Sequence, residues 1–179
     1  PPSKDYVFAH DRHFRFLQDG FAPLTSFAAG GLAECWTAGS YAFDNTDLAQ
    51  FPFDHADIHD HYGEVAARIG VAGEEDDVGF ASHANLSAPT TLDLSARKLL
   101  DRYEQRREKL RAKYGVRFGR SRQAVLTSPR GEREACRLCG RCLWGCPNGA
   151  FYTPSVTLRE CLTFANFDYR PGHFVSHLE

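Results

Sequence analysis

The sequence predicts an α+β chain with a few short strands, two or three helices and a cysteine-rich loop. Three observations carry that expectation. Two stretches, 54–69 and 96–114, repeat apolar residues at helical spacing. Short stretches at 5–20, 116–126 and 174–178 read as strands. Before the last of these lies a dense cysteine run, Cys136-Arg-Leu-Cys139-Gly-Arg-Cys142-Leu-Trp-Gly-Cys146-Pro147.

Residues 5–20 alternate weakly at Tyr6 and Phe8 and again at Phe14 and Phe16, which suits one or two strands. Residues 21–43 are small, apolar and glycine-rich around Gly30 and Gly31. Asp54, soon after Pro52, is a candidate N-cap for the first helix. Ile58, Tyr62, Val65 and Ile69 form its stripe, and Gly70 ends it. Residues 72–96 are acidic, then rich in Ser and Thr, and read as a long connection. The second helix, 96–114, carries Leu99, Tyr103, Leu110 and Tyr114 and closes at Gly115. A strand is expected over 116–126 and the cysteine loop follows it. A short helix is expected from about Thr157, capped by Ser155 or Thr157, and a terminal strand over 174–178.

The 179 residues fit one domain, which would bury about 70% of its unfolded surface. A net charge of −2 gives no overall pull toward nucleic acid or membrane. The least charged stretch, 21–43, is broken by Pro23 and Glu34 and is not a membrane span. The polar start, Pro1-Pro2-Ser3-Lys4-Asp5, is no signal peptide. The absence of methionine predicts that the natural start has been lost. The address, cytoplasmic or periplasmic, therefore stays open.

Six cysteines are too few for a disulfide scaffold of this size. Four of them, Cys136, Cys139, Cys142 and Cys146, have the spacing C-x2-C-x2-C-x3-C-P. Bacterial ferredoxins hold iron–sulfur clusters with this spacing, and the fourth cysteine of such a run serves a second cluster in two-cluster proteins. Gly140 and Gly145 relieve crowding in a tight loop, and Pro147 turns the chain away. Zinc and inert thiols are the alternatives. A zinc ribbon separates its two pairs by about 15–20 residues, whereas only Gly140 and Arg141 lie between Cys139 and Cys142. Cys35 and Cys161 stand outside the run.

Other constellations are weaker. Gly30-Gly31 would let a ligand approach the backbone, or would simply make a packed turn. No G-x-G-x-x-G sequence occurs. His55, His59 and His61, among Asp54, Asp57 and Asp60, look like metal ligands but suit equally a polar first helical turn. His10 and His13 would point to opposite faces of a strand. The charges of 96–114, from Arg97 to Lys113, read as a solvated face or as a docking face for an acidic partner. No aromatic platform for nucleic acid is interleaved with them.

Taken in order, several segments resemble the glucose–methanol–choline (GMC) family of FAD-dependent oxidoreductases. They are Gly30-Gly31 with Trp36-Thr37-Ala38-Gly39, Asp47-Leu48 with Phe51-Pro52-Phe53, Tyr62, Gly70-Val71 with Gly73, and the cysteine run leading into Pro147-Asn-Gly149-Ala150-Phe-Tyr152. The likeness is strongest to the bacterial branch whose flavin subunits carry an iron–sulfur cluster. It implies a flavin-contacting segment at 1–50, with Gly30, Gly31, Trp36, Thr37, Ala38 and Gly39 along the FAD. It implies a helical scaffold at 51–130, an iron–sulfur loop at 131–152, and a helix and strand at 153–179, all within a single partial domain. It also implies an alcohol substrate such as a sugar or polyol, a three-iron or four-iron cluster, and an acceptor protein or subunit. The family's dinucleotide fingerprint and its catalytic histidine have no counterpart here. The chain is therefore expected to be the middle of such an enzyme and inactive alone. A stand-alone cluster carrier and a zinc-bearing interaction domain remain the alternatives.

Overall fold

A computed structural model describes residues 4–9, 17, 19–76, 78, 84–173, 175, 177 and 178. The chain divides into two compact units. The larger comprises Ala38–Cys139 and Cys146–Tyr152, and the smaller comprises Pro1–Thr37, Gly140–Gly145 and Thr153–Glu179. The described residues hold four α-helices and only isolated β-bridges, so no sheet forms among them.

In the larger unit, α1 spans His55–Ile69. Its start is dictated locally. The Asp54 carboxylate accepts the N–H groups of Ala56 and Asp57, and Asp57 returns the favour to the Asp54 N–H. This reciprocal capping satisfies donors that a helix start leaves open. Gly70, at φ 80°, ends the helix in the left-handed region.

The expected single helix over 96–114 is two helices, α2 (Leu94–Glu104) and α3 (Arg107–Tyr114). Asp93 caps α2 through the Ala96 N–H. Gln105 and Arg106 are ordinary helix formers, so the interruption is tertiary in origin. The Tyr103 ring is buried against Phe118 at 5.7 Å, and its hydroxyl donates to the Val116 carbonyl. The backbone tightens beside it, with the Arg106 N–H on the Tyr103 carbonyl. The apolar stripe survives as two i, i+4 pairs, Leu99–Tyr103 and Leu110–Tyr114.

The strand expected over 116–126 shrinks to its last residues. Arg122–Leu126 exchange backbone bonds with three other extended pieces: Ala38–Ser40, Ala72 and Ala150–Tyr152. Bridges at Gly39–Gln123, Ala72–Gln123 and Val125–Phe151 mark these contacts. Residues 116–121 lack such partners among the described residues. Instead the Arg120 N–H and the Arg122 guanidinium hold the Asp76 carboxylate. The core beneath is made largely of small residues, with Ala66, Val71, Ala72, Ala124 and Ala150 buried.

Buried Arg133 joins this unit's parts. Its guanidinium donates to the carbonyls of Ile69 at 3.2 Å, Gly149 at 3.0 Å and Ala150 at 3.0 Å. The Ala150 carbonyl also accepts the Leu126 N–H, so it is shared between backbone and guanidinium, and Arg133 adds a donor to the carbonyls of buried Ile69 and half-buried Gly149.

In the smaller unit, the first part of the one or two strands expected at 5–20 is instead a 3-10 turn at Asp5–Phe8. This turn buries Val7 and directs Lys4 and Tyr6 to one group, the fully buried carboxylate of Glu34. His10, His13, Phe14 and Phe16, and Phe174 of the expected terminal strand, lie outside the described residues. The final helix, α4, spans Pro154–Cys161 and begins earlier than expected. Neither Ser155 nor Thr157 caps it. Pro154 occupies the first helical position, where its missing N–H costs nothing. Glu34 accepts both the Ser155 N–H at 2.7 Å and its hydroxyl at 2.6 Å. On its other oxygen it accepts Lys4 Nζ at 2.6 Å and the Tyr6 hydroxyl at 3.3 Å.

Burial pushes the Glu34 pKa upward, but the bonds from Lys4 and Ser155 outweigh it and leave the carboxyl below its ordinary 4.5. Burial likewise pulls Lys4 down, and Glu34 outweighs that pull, raising Lys4 above its ordinary 10.5. Stability from Glu34 is complete above its unfolded value and is lost as pH falls through the lower folded value. Stability from Lys4 is complete below its unfolded value and is lost as pH rises through the higher folded one. Glu34→Gln should therefore lower the melting temperature at pH 7, and the deficit should narrow as pH falls below the ordinary carboxylate range. Thermal scans of both proteins at a series of pH values check this. Arg133→Ala should cost about 3 kcal/mol in urea unfolding, since it removes three charge-assisted hydrogen bonds from a buried side chain. Arg133→Lys should recover less than half of that, because an ammonium cannot span the fork.

Candidate metal centre

The cysteine run leaves and rejoins the larger unit through one neck. The Cys136 N–H donates to Leu126 O at 2.8 Å, the Glu134 N–H to Asn148 O at 3.0 Å, and the Leu126 N–H to Ala150 O at 2.9 Å. Arg133 clamps the returning side at Gly149 and Ala150. The run is thus a loop held at its base by a network that the sequence reading missed. Backbone carbonyls carry no residue-type signal, and a lone arginine before a cysteine motif reads as surface charge.

Within the loop, Leu138 at φ 54° and Gly140 at φ 68° curve the backbone through the left-handed region. Glycine takes that conformation at no steric cost, whereas leucine is strained there. The curvature directs the Leu138 N–H to Cys136 Sγ at 3.4 Å. A 3-10 turn at Cys142–Trp144 follows, and Gly145 at φ 107° redirects the chain out of it.

The division between the units passes through the run. Cys136, Cys139 and Cys146 belong to the larger unit and Cys142 to the smaller. None of the six cysteines is in a disulfide; Cys139 is exposed and the other five are half-buried. Among the described residues, no three Cys, His, Asp or Glu side chains are gathered as a metal-binding group. The donor chemistry nevertheless fits an iron–sulfur cluster, which takes thiolates. Drawing such donors together is the work of the metal–sulfur bonds themselves, whose free energy is coupled to ordering of the site.

The structure brings one further cysteine to the motif. Inside the smaller unit, the Cys35 thiol donates to the carbonyl of Leu143, the neighbour of Cys142, at 3.4 Å across 108 residues of sequence. Cys161 sits at the end of α4.

The histidines of α1 are occupied separately. His55 Nδ1 lies 3.0 Å from Phe43 O, and its ring stacks on Tyr62. His59 meets Asp60, and His61 meets Glu64, each at 3.2 Å. These exposed local pairs suit a scaffold helix. The charged residues of α2 and α3 include a surface pair between Arg107 and Glu104. In the larger unit, a shallow apolar groove of about 240 Å³ lies between Ser40-Tyr41 and α1.

The six residues assigned to a flavin by resemblance divide as the cysteines do. Gly30, Gly31, Trp36 and Thr37 lie in the smaller unit, and Ala38 and Gly39 in the larger. Gly30 is the packed turn: at φ 87°, an added Cβ would sit 2.7 Å from the Glu34 side chain. At Gly31, φ 55°, a Cβ would meet nothing within 4 Å. Ala38 is buried, and its carbonyl accepts the Ala124 N–H. Gly30, Gly31, Trp36, Thr37 and Gly39 are the members of this set with exposed or half-exposed surface.

Gly31→Ala should cost about 1 kcal/mol, the left-handed backbone penalty alone. Gly30→Ala should cost more, because the added methyl also displaces the Glu34 carboxylate. Urea unfolding of both variants checks the order. No protein-family model and no curated protein matches the chain.

Proposed function

We propose that the four-cysteine loop holds an iron–sulfur cluster, and that the chain is the cluster-bearing portion of an FAD-dependent oxidoreductase of the GMC kind. Its substrate class would be an alcohol such as a sugar or polyol. The observation that carries this reading is the C-x2-C-x2-C-x3-C-P spacing, set in sequence order between Gly30-Gly31 and Ala150-Phe151-Tyr152.

When bound, a cluster supplies one-electron transfer. This chain's residues position and tune it. Cys136, Cys139, Cys142 and Cys146 supply the candidate thiolates. Arg133 holds the neck from which the loop hangs. Leu138, Leu143 and Trp144 are exposed apolar neighbours of those cysteines, and apolar cover lowers the local dielectric around a centre. Arg137 spends part of its charge on Glu134, 2.8 Å away. Exposed Arg141, beside Cys142, is the better placed of the two to raise a cluster potential. Of the six residues the resemblance assigns to a flavin, Gly30, Gly31, Trp36, Thr37 and Gly39 keep exposed or half-exposed surface for it, and Ala38 is buried. With no G-x-G-x-x-G sequence, the 179 residues alone are not expected to retain FAD.

Anaerobic reconstitution with iron and sulfide tests the reading. The wild-type chain should acquire both elements and a broad visible charge-transfer absorbance. Cys139→Ser and Cys142→Ser should each lose most of that absorbance. Zinc uptake without sulfide would instead support the structural zinc loop. Unchanged iron and sulfide in both variants would remove these cysteines from the site.

A further inference from the structure

We infer that the basic groove between α2 and α3 docks an acidic segment of a partner protein, anchored there by a large apolar side chain. The inference goes beyond the cluster reading and does not depend on it. The groove lies wholly within the larger unit and has a volume of about 270 Å³. It exists because the helical run breaks at Gln105 and Arg106. The break brings Leu99 of α2 and Leu110 of α3 to one hollow, which Val116 and Phe118 complete as the chain returns. Tyr103, buried and 5.7 Å from the Phe118 ring, also lines it. Leu99 remains 54% exposed and Val116 43% exposed. Apolar side chains that line a concave surface and stay wet are the mark of a binding surface.

Charge selects the occupant. From Arg97 to Lys113 stand eight basic side chains and three acidic ones, a local charge of +5 in a chain of net charge −2. A merely solvated helix face would spread its opposite charges into i, i+3 and i, i+4 pairs. Here Glu104 and Glu108 both approach Arg107, at 3.2 and 3.8 Å. Arg102 and Arg106, whose side chains line the groove, make no ion pair among the described residues. Their stems extend the apolar walls, and their planar forks suit carboxylates. An apolar hollow rimmed by such arginines fits a segment with the inverse pattern, carboxylates around a large apolar anchor. A nucleic-acid backbone would meet the arginines but leave the hollow unfilled. The acidic run of this chain is engaged elsewhere: Glu74 meets Arg120 at 3.3 Å and Asp76 meets Arg122 at 3.0 Å. The docking segment is therefore expected from another protein rather than from a second copy.

The test uses the full 179-residue chain and fluorescence anisotropy. The probe is a fluorescein-labelled peptide of Asp and Glu residues that carries one Phe and one Leu four positions apart. Two control peptides replace either the Phe and Leu by Ser or the acids by Lys. Binding should saturate, weaken with added salt, and fall about tenfold or more for each control. Arg102→Glu combined with Arg106→Glu should lower affinity about tenfold or more, and Leu99→Gln about fivefold. All three side chains are exposed, so circular dichroism should be unchanged. Lys98→Glu combined with Lys109→Glu makes the same change in net charge outside the groove and should keep affinity within about threefold.

An equal loss in the lysine pair, or equal binding of the Ser control, would reduce the effect to overall charge and overturn the proposal. Failure of the probe to bind the wild-type chain would do the same. A labelled single-stranded oligonucleotide that binds more tightly than the probe, and is released in the double arginine variant, would overturn it in favour of nucleic acid. Self-association in sedimentation, removed by Leu99→Gln, would overturn it in favour of a second copy.

Discussion

In the larger unit, extended pieces touch at isolated bridges, and many of the residues between them are alanine and glycine. Such pairing buries little apolar area and offers few cross-strand side-chain contacts. A buried guanidinium makes up the difference. Arg133 reaches the end of α1 and both residues at the return of the cysteine loop through a rigid fork of donors. The loop keeps its place because those carbonyls have one shared partner. Any chemistry at the loop inherits its position from that clamp.

Arg130 repeats the device on the surface, donating to the carbonyls of Ala67 and Arg68, the two residues before Ile69 in α1. Two arginines thus secure the last turn of α1, where a helix leaves carbonyls without donors. Gly70 could not be replaced freely here, since an added Cβ would lie 2.8 Å from the Arg130 guanidinium and would press into Leu126. Helix ending, side-chain reach and loop neck are therefore one arrangement.

The legible part of the fold was the part decided locally. Asp54 and Gly70 bracket α1 as their types predict, because capping is a contest among near neighbours. The interruption of 96–114 was not legible, since it depends on Tyr103 meeting Phe118 and Val116 after the chain has turned back. The short alternations at Tyr6 and Phe8 and over 116–126 carried a strand period but no guarantee of partners. Tyr6 is drawn instead to a carboxylate 28 residues away. At the site, the spacing of Cys136, Cys139, Cys142 and Cys146 was evident from sequence, whereas the supports were not. Arg133, Glu34 and the approach of Cys35 to Leu143 all act across long separations, and none has a short-range signature.

Glu34 has a consequence for how the chain is made. Its bond partners Lys4 and Ser155 lie on opposite sides of the larger unit in sequence, and Ser155 follows Glu34 by 121 residues. During synthesis, all of the larger unit, which ends at Tyr152, has been made before Ser155 is added. Until then Glu34 lacks the Ser155 N–H and hydroxyl that it accepts in the finished chain. The Glu34 arrangement is therefore completed late, only once the segment carrying Ser155 has been made. A helper that shields the segment carrying Glu34, or a slow stretch of translation just beyond residue 155, would act on yield without touching the stability of the finished protein.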